Sequence, residues 1–261
     1  MSNVLLTRPS ETVWQLTLNS GPDNRLRPDL LGELAAQLDV IEAEWRKAGG
    51  GETDPAKRGK HNGAGAVVLT SAFPKFFSNG LDPAVLMTLP NFFEDVFDPV
   101  IYRLMTFPLV TVAAVNGHAF AGGMILALAC DFRIMNADKG MMCMNELLIG
   151  LPLPNSFASF LELRLAKPAL RDTMLAKRWT QSELLAHGLI DGVAPPADVV
   201  ARSIALGEQE GAKVGAGVWG EIKDGLLHAV IDASRSRREI VRPQAAAAKF
   251  LARIKRQQAK L

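Results

Sequence analysis

Cysteine is scarce in this chain: only Cys130 and Cys143 occur, both among apolar residues. Two thiols in 261 residues argue against a disulfide framework and fit a reducing compartment. An excess of charge is missing as well. The formal net charge is +2, too small to point to a nucleic-acid partner, although the last residues are locally basic. Long hydrophobic runs are absent too, since glycine, proline, asparagine or aspartate interrupts each one well before the ~18 residues that a membrane helix needs. The first residues, "MSNVLLTRPSETVWQLTLN", lack a basic stretch followed by a continuous apolar one, so no secretory signal is expected. No two histidines or cysteines have metal-ligand spacing, which predicts no metal site. G-x-S-x-G is absent, which leaves His118 and His187 without a serine nucleophile to activate. A soluble intracellular protein remains, long enough for one large domain or a large core with a smaller appendage.

The sequence present alternates strands with helices. "TVWQLTLN" (12–19) reads as a strand and "DLLGELAAQLDVIEAEWRKAG" as an amphipathic helix closed by Gly49. Residues 49–65 are polar and glycine-rich, a surface excursion without the lysine and Ser/Thr ending of a phosphate loop. "AVVLTS" (66–71) and "LVTVAAVNG" (109–117) read as buried strands, separated by a helical stretch that runs to Phe107. A short helix is expected from about Gly122, followed by strands at "FRIMN" and "KGMMCMNE". Beyond Leu153 the pattern is mostly helical, with a capping box in "TQSE" from Thr180 to Glu183. An alanine-rich helix and a basic tail come last. The class is α/β with crossover connections.

Two glycine turns could carry chemistry. In "FFSNGLDP", Gly80 can take a positive φ that leaves the Leu81 N–H pointing outward. In "FAGGM", Gly122 opens a helix, where backbone N–H groups lack partners and the dipole is positive. Two such amides converging on one point would form an oxyanion hole; the same spacing also fits tight turns needed only for packing. Glu146, in "MMCMNELLIGLPLP", has apolar neighbours that would raise its pKa toward the range useful for proton transfer. A position on the solvent side of a strand end would leave it inert. Asp131 reads as a cap or pairing residue, Asp82 as a turn residue, and Glu162 beside Arg164 as a surface charge.

Together these segments resemble the crotonase (enoyl-CoA hydratase/isomerase) superfamily. "FSNGLD" is similar to its first oxyanion motif and "AAVNGHAFAGGMILALACDFRI" to its second. "MNELLIGLPLP" is similar to the segment bearing a catalytic glutamate, and "SELLAHGLIDGV" to a downstream stretch. The likeness runs from about Val13 to Val193. It implies a spiral of ββα turns over residues 1–195 and a C-terminal helical region over 196–261, assembled as a homotrimer or hexamer. It further implies that the Leu81 and Gly122 amides hold the thioester oxygen of an acyl-CoA, with Glu146 as the catalytic base. Ser78, Gly80, Asp82 and Gly123 would lie along the substrate, with Arg25 at a phosphate. No metal or redox cofactor is expected, coenzyme A being part of the substrate.

Within the superfamily, hydratases typically carry two glutamates. Here Ile125 occupies the first of those positions, and Glu146 the second. A single carboxylate suits a proton shuttle from C2 to C4, as in the peroxisomal Δ3,Δ2-enoyl-CoA isomerases of fatty acid β-oxidation that "IGLPLP" resembles. The final Ala259-Lys260-Leu261 resembles a small–basic–leucine signal read by the peroxisomal import receptor, with a cytoplasmic location as the alternative. Two rival readings remain: a hydratase or lyase that recruits another acid such as Asp82, and a non-catalytic acyl-CoA binding member.

Overall fold

A computed structural model describes residues 2–236 and 243–258. The chain opens with an antiparallel pair, β1 (Val4–Ser10) and β2 (Val13–Leu18), in which Val4 faces Leu18. The sequence reading missed β1. It is an edge strand exposed along much of its length, so it lacks the alternation that marks a half-buried strand. Helix α1 (Pro28–Lys47) follows, with Leu30, Leu31, Leu34, Leu38, Ile41 and Trp45 buried along one stripe. Pro28 sits at its start and Arg46 and Lys47 in its last turn, as the helix dipole favours.

Two successive turns of chain then repeat one plan. β3 (Ala66–Ser71) lies in a large sheet, β4 (Phe76–Ser78) in a small one, and α2 (Pro83–Thr88) returns. A π-helical segment, Phe93–Phe97, runs directly into α3 (Asp98–Met105). The plan repeats with β5 (Val110–Val115), β6 (His118–Phe120) and α4 (Gly122–Ala129). A third turn has β7 (Phe132–Asn136) and β8 (Met142–Cys143) but puts only a 3₁₀ turn, Glu146–Ile149, where the helix would stand. The strand expected over "KGMMCMNE" therefore shrinks to two residues. Asn145, at φ −99° and ψ 11°, has already left extended geometry, so Glu146 starts a helical turn instead of sitting in a strand.

After these come α5 (Asn155–Arg164), α6 (Lys167–Met174), α7 (Gln181–Ala186), β9 (Gly192–Ala194), α8 (Val199–Gly211), α9 (Trp219–Arg235) and α10 (Pro243–Gln258). The expected capping box at Thr180 is formed, with the Thr180 N–H donating to Glu183 Oε2 at 3.0 Å. The large sheet has the order β1-β2-β3-β5-β7-β9 and the small one β4-β6-β8, parallel throughout except for the first pair. This is the ββα spiral that the sequence implied.

Parallel sheets are covered on both faces, and this one divides its strands between two cores. Val67 and Leu69 of β3 join the main core with α1, whereas Ala66 and Val68 face the other way with Val199 of α8. Helix α8 comes close because Gly207 replaces a side chain there; a Cβ would meet that of Ala66 at 3.1 Å. Among the described residues no helix is long and apolar enough to cross a membrane, and no cluster of ligating side chains could hold a metal. Cys130 and Cys143 are both buried and unpaired. Ala259, Lys260 and Leu261 lie outside the described residues.

Candidate active site

The first glycine turn follows β4. Gly80 has φ +77°, which favours glycine, and its carbonyl accepts from the Leu26 N–H at 2.9 Å. That leaves the Leu81 amide without an acceptor among the described residues. Ser78 is wholly buried and acts as scaffold: its hydroxyl donates to Asn24 O at 2.8 Å and accepts from the Gly80 N–H at 3.2 Å. Asn24, also wholly buried, donates to Ser71 Oγ at 2.7 Å and Phe77 O at 3.0 Å. Arg25 clamps the same turn through Asn79 O at 2.9 Å and Leu81 O at 3.1 Å. Asp82 caps α2 by accepting from the Ala84 N–H at 2.9 Å.

The second turn follows β6. Ala121 has φ +52° and ψ −125°, a conformation rarely taken by a residue with a side chain. Its N–H donates to Cys143 O at 2.7 Å, which ties the start of α4 to β8. The Gly122 amide belongs to the first turn of α4 and has no acceptor in the helix. The two turns touch. A Cβ on Gly80 would stand 2.6 Å from Phe120 O and 3.2 Å from the Gly122 nitrogen. The double glycine divides two tasks: a Cβ on Gly122 would press on Leu81 Cδ2 at 3.0 Å, and one on Gly123 would overlap the Ser78 carbonyl. Gly123 thus lets α4 lie against β4, while Gly122 sits beside Leu81.

Glu146 lines the same cavity as Leu81 and Ala121, a space of about 590 Å³ also bordered by Arg25, Leu86, Phe93 and Phe157. It is the one carboxylate among the described residues lining that space. The side chain is buried, its Oε2 has no hydrogen-bond partner, and burial pushes its carboxyl from 4.5 up to about 7. The solvent-side position considered above is ruled out. Ile125, one turn along α4 from Gly122, is buried and apolar. Two free amides, a carboxyl near neutrality and an apolar wall can together stabilise a developing oxyanion and move a proton out of reach of water.

Several residues escaped the sequence reading. Asn24 organises the first turn from inside a segment that looks like an ordinary polar turn. Phe157 closes one side of the cavity, and Asp98 lies buried near it, with nothing local to single either out.

The family model for enoyl-CoA hydratase/isomerase matches residues 56–235. Peroxisomal enoyl-CoA delta isomerase 2 of Arabidopsis thaliana is 31% identical, over 82% of this chain and 88% of that protein. Peroxisomal enoyl-CoA delta isomerase 1 of the same plant is also 31% identical, over 85% of this chain and 88% of that protein. Among solved structures, an apo enoyl-CoA isomerase of Mycobacterium tuberculosis superposes with a TM-score of 0.75 at 25% identity, covering 90% of this chain and 95% of that one. Shared sequence over most of its length, the ββα spiral and the paired glycine turns place this chain in the enoyl-CoA hydratase/isomerase, or crotonase, family.

Proposed function

We propose that the protein is a Δ3,Δ2-enoyl-CoA isomerase. The thioester oxygen of a 3-enoyl-CoA accepts hydrogen bonds from the Leu81 and Gly122 amides, which makes the C2 protons more acidic. Ionised Glu146 removes one of them, and the C2 electron pair delocalises through the 3,4 double bond and the carbonyl. The oxyanion of this dienolate rests on the two amides. Glu146, now protonated, returns the proton to C4, and the double bond finishes between C2 and C3. The cycle consumes no redox equivalent, metal or cofactor beyond the CoA carried by the substrate.

The observation that carries this reading is the lone carboxylate of the cavity. Hydration needs one group to activate water and another to deliver a proton; with Ile125 apolar and Asp82 engaged as a helix cap, Glu146 is left to do both halves of a shuttle. An intact Glu146 whose Oε2 has no partner also speaks against a member that only binds CoA thioesters. The names of the plant relatives agree.

We propose a peroxisomal site of action in fatty acid β-oxidation, a reading supported by the names of the same relatives, and a homotrimer or hexamer, which the exposed Leu147, Leu148 and Ile149 would suit. The test is a paired assay of purified protein with 3-enoyl-CoA and 2-enoyl-CoA of short, medium and long chain. Isomerisation far exceeding hydration is the expected result, and hydration without isomerisation would overturn the reading.

A further inference from the structure

Behind Phe157 lies a second, much smaller cavity of about 20 Å³, between α3, α4, α5 and α9. Ile101, Ile125, Phe160 and Val230 give it apolar walls and the Tyr102 hydroxyl is taken up by Asp224 at 2.6 Å, yet Asp98 and Ser156 also line it. Both residues are only 7% exposed. Ser156 Oγ completes no hydrogen bond, and Asp98 has no cation against it among the described residues. Burial pushes the Asp98 carboxyl up to about 7; the nearby Ser156 hydroxyl opposes this in part, and Glu94 adds to it.

A buried hydroxyl and a buried carboxyl that have only each other as polar company among apolar groups destabilise the fold, and apolar residues of the same size would avoid that cost. The volume is informative too. Twenty cubic ångströms is just enough for one water-sized group and too little for a length of hydrocarbon.

The position of the cavity connects it to the larger space. Ile125 lies on α4 three residues beyond Gly122, about 4.5 Å along the helix from the amide assigned to the thioester oxygen. Among the described residues Phe157 is the one that borders both spaces. Its ring is held by aromatic edges, with Phe93 at 5.5 Å and Phe97 at 5.1 Å, contacts that a ring can exchange by rotating. Phe93 and Phe97 begin and end the π-helical segment, a distortion found frequently at functional sites.

We propose that this cavity is a specificity subsite for a single hydroxyl carried on the acyl chain beyond the reacting carbons, bound by Asp98 and Ser156, with Phe157 turning aside to admit it. The hydroxyl donates to the Asp98 carboxylate and accepts from Ser156, so one oxygen satisfies both buried groups. A terminal carboxylate would meet the charge of Asp98, and a methyl end would leave both groups bare. The inference rests on the acyl-CoA reading of the larger cavity.

The test uses saturated acyl-CoAs, which bind without turnover. Calorimetry at pH 8 compares six- to ten-carbon chains, unsubstituted or carrying one hydroxyl at successive carbons from C4 outward. The native protein is expected to bind one positional isomer about tenfold tighter than its unsubstituted parent, the size of a hydrogen bond to a charged group. Ser156→Ala and Asp98→Leu should each remove that preference, read as the ratio of the two affinities within the same variant. Should Asp98→Leu not fold, Ser156→Ala decides alone, because Ser156 Oγ completes no hydrogen bond. Weaker binding of the hydroxylated chain at every position, or a preference that survives in Ser156→Ala, would leave the pair with a buried water only and overturn the subsite. If the unsubstituted chains fail to bind as well, the acyl-CoA reading falls first and the subsite with it.

Discussion

The carboxylates of Asp131, whose side chain is 8% exposed, and of buried Glu146 both lie close to α4, one past its C-terminal end and the other beside its start, and they have opposite surroundings. Asp131 accepts from the Thr111 N–H at 2.9 Å, from Trp219 Nε1 at 3.1 Å and from Lys223 Nζ at 3.1 Å to each oxygen. Among the described residues Glu146 has no cation against it, and its Oε2 stays bare. Burial is common to the two, so burial alone does not mark a reactive acid. A carboxylate with both oxygens engaged fastens α9 to the sheet. One left unengaged at the wall of a 590 Å³ cavity is free to exchange a proton with whatever enters.

The largest effect is expected where the comparison is broken on the unpaired side. Glu146→Gln keeps the shape and removes the base, so 3-enoyl-CoA isomerisation should fall by about 10³–10⁴-fold. Acyl-CoA affinity should stay within a few-fold, since the two amides remain. A spectrophotometric assay of isomerisation beside calorimetric binding measures both, and full activity in this variant would remove Glu146 from the mechanism. In the native protein kcat/KM should rise with pH through about 7 as Glu146 ionises, about tenfold per unit on the acid limb.

Breaking the paired side should cost stability instead of chemistry. Asp131→Ala strands Lys223, whose side chain is only 6% exposed, and should destabilise the fold by about 3–5 kcal/mol, read from denaturant midpoints. A loss below about 1 kcal/mol would mean that the pair does not fasten α9 to the sheet.

A third experiment reads Glu146 through its linkage to pH. The Glu146 carboxyl rises from 4.5 to about 7 on folding, so between those values the native state holds a proton that the unfolded chain has released. Stability therefore falls as pH rises through that window, and buried Asp98, also raised to about 7, contributes in the same sense. Glu146→Gln removes its share and should be more stable than the native protein at pH 8 by up to about 3 kcal/mol, with little difference at pH 4. Equal stability of the two proteins at both pH values would mean that Glu146 is not desolvated.

How much of this could be read from the sequence depends on how far apart the interacting parts lie in the chain. The glycine turns were legible because their chemistry is local: Gly80 presents the next amide, and Gly122 opens a helix. The apolar neighbours of Glu146 announced its burial, although not the 3₁₀ turn that holds it. Ser78 and Asn24 bond across 54 residues and Asp131 and Lys223 across 92, so no local pattern links them. Strand β1 was illegible for another reason, since an exposed edge imposes little hydrophobic pattern. Asp98 and Phe157, on α3 and α5, become neighbours only when the helices pack.

The adjacent glycines give the smallest and most selective test, because they divide the same two duties between neighbouring residues. At Gly122 an added methyl would meet Leu81 Cδ2 at 3.0 Å, a side chain that can shift. The Leu81 amide would shift with it, so Gly122→Ala should lower kcat more than it lowers stability. At Gly123 the methyl would run into the carbonyl of Ser78, whose residue is wholly buried and bonded to Asn24, so nothing there can yield cheaply. Gly123→Ala should therefore destabilise by about 1–3 kcal/mol, the usual cost of overpacking. Melting temperature and kcat measured on both variants decide the matter: the larger stability loss belongs to Gly123→Ala, and the larger loss of kcat per unit of stability to Gly122→Ala. If Gly122→Ala lost only stability, its amide would be part of the scaffold, in the class of Asp131 and not of Glu146.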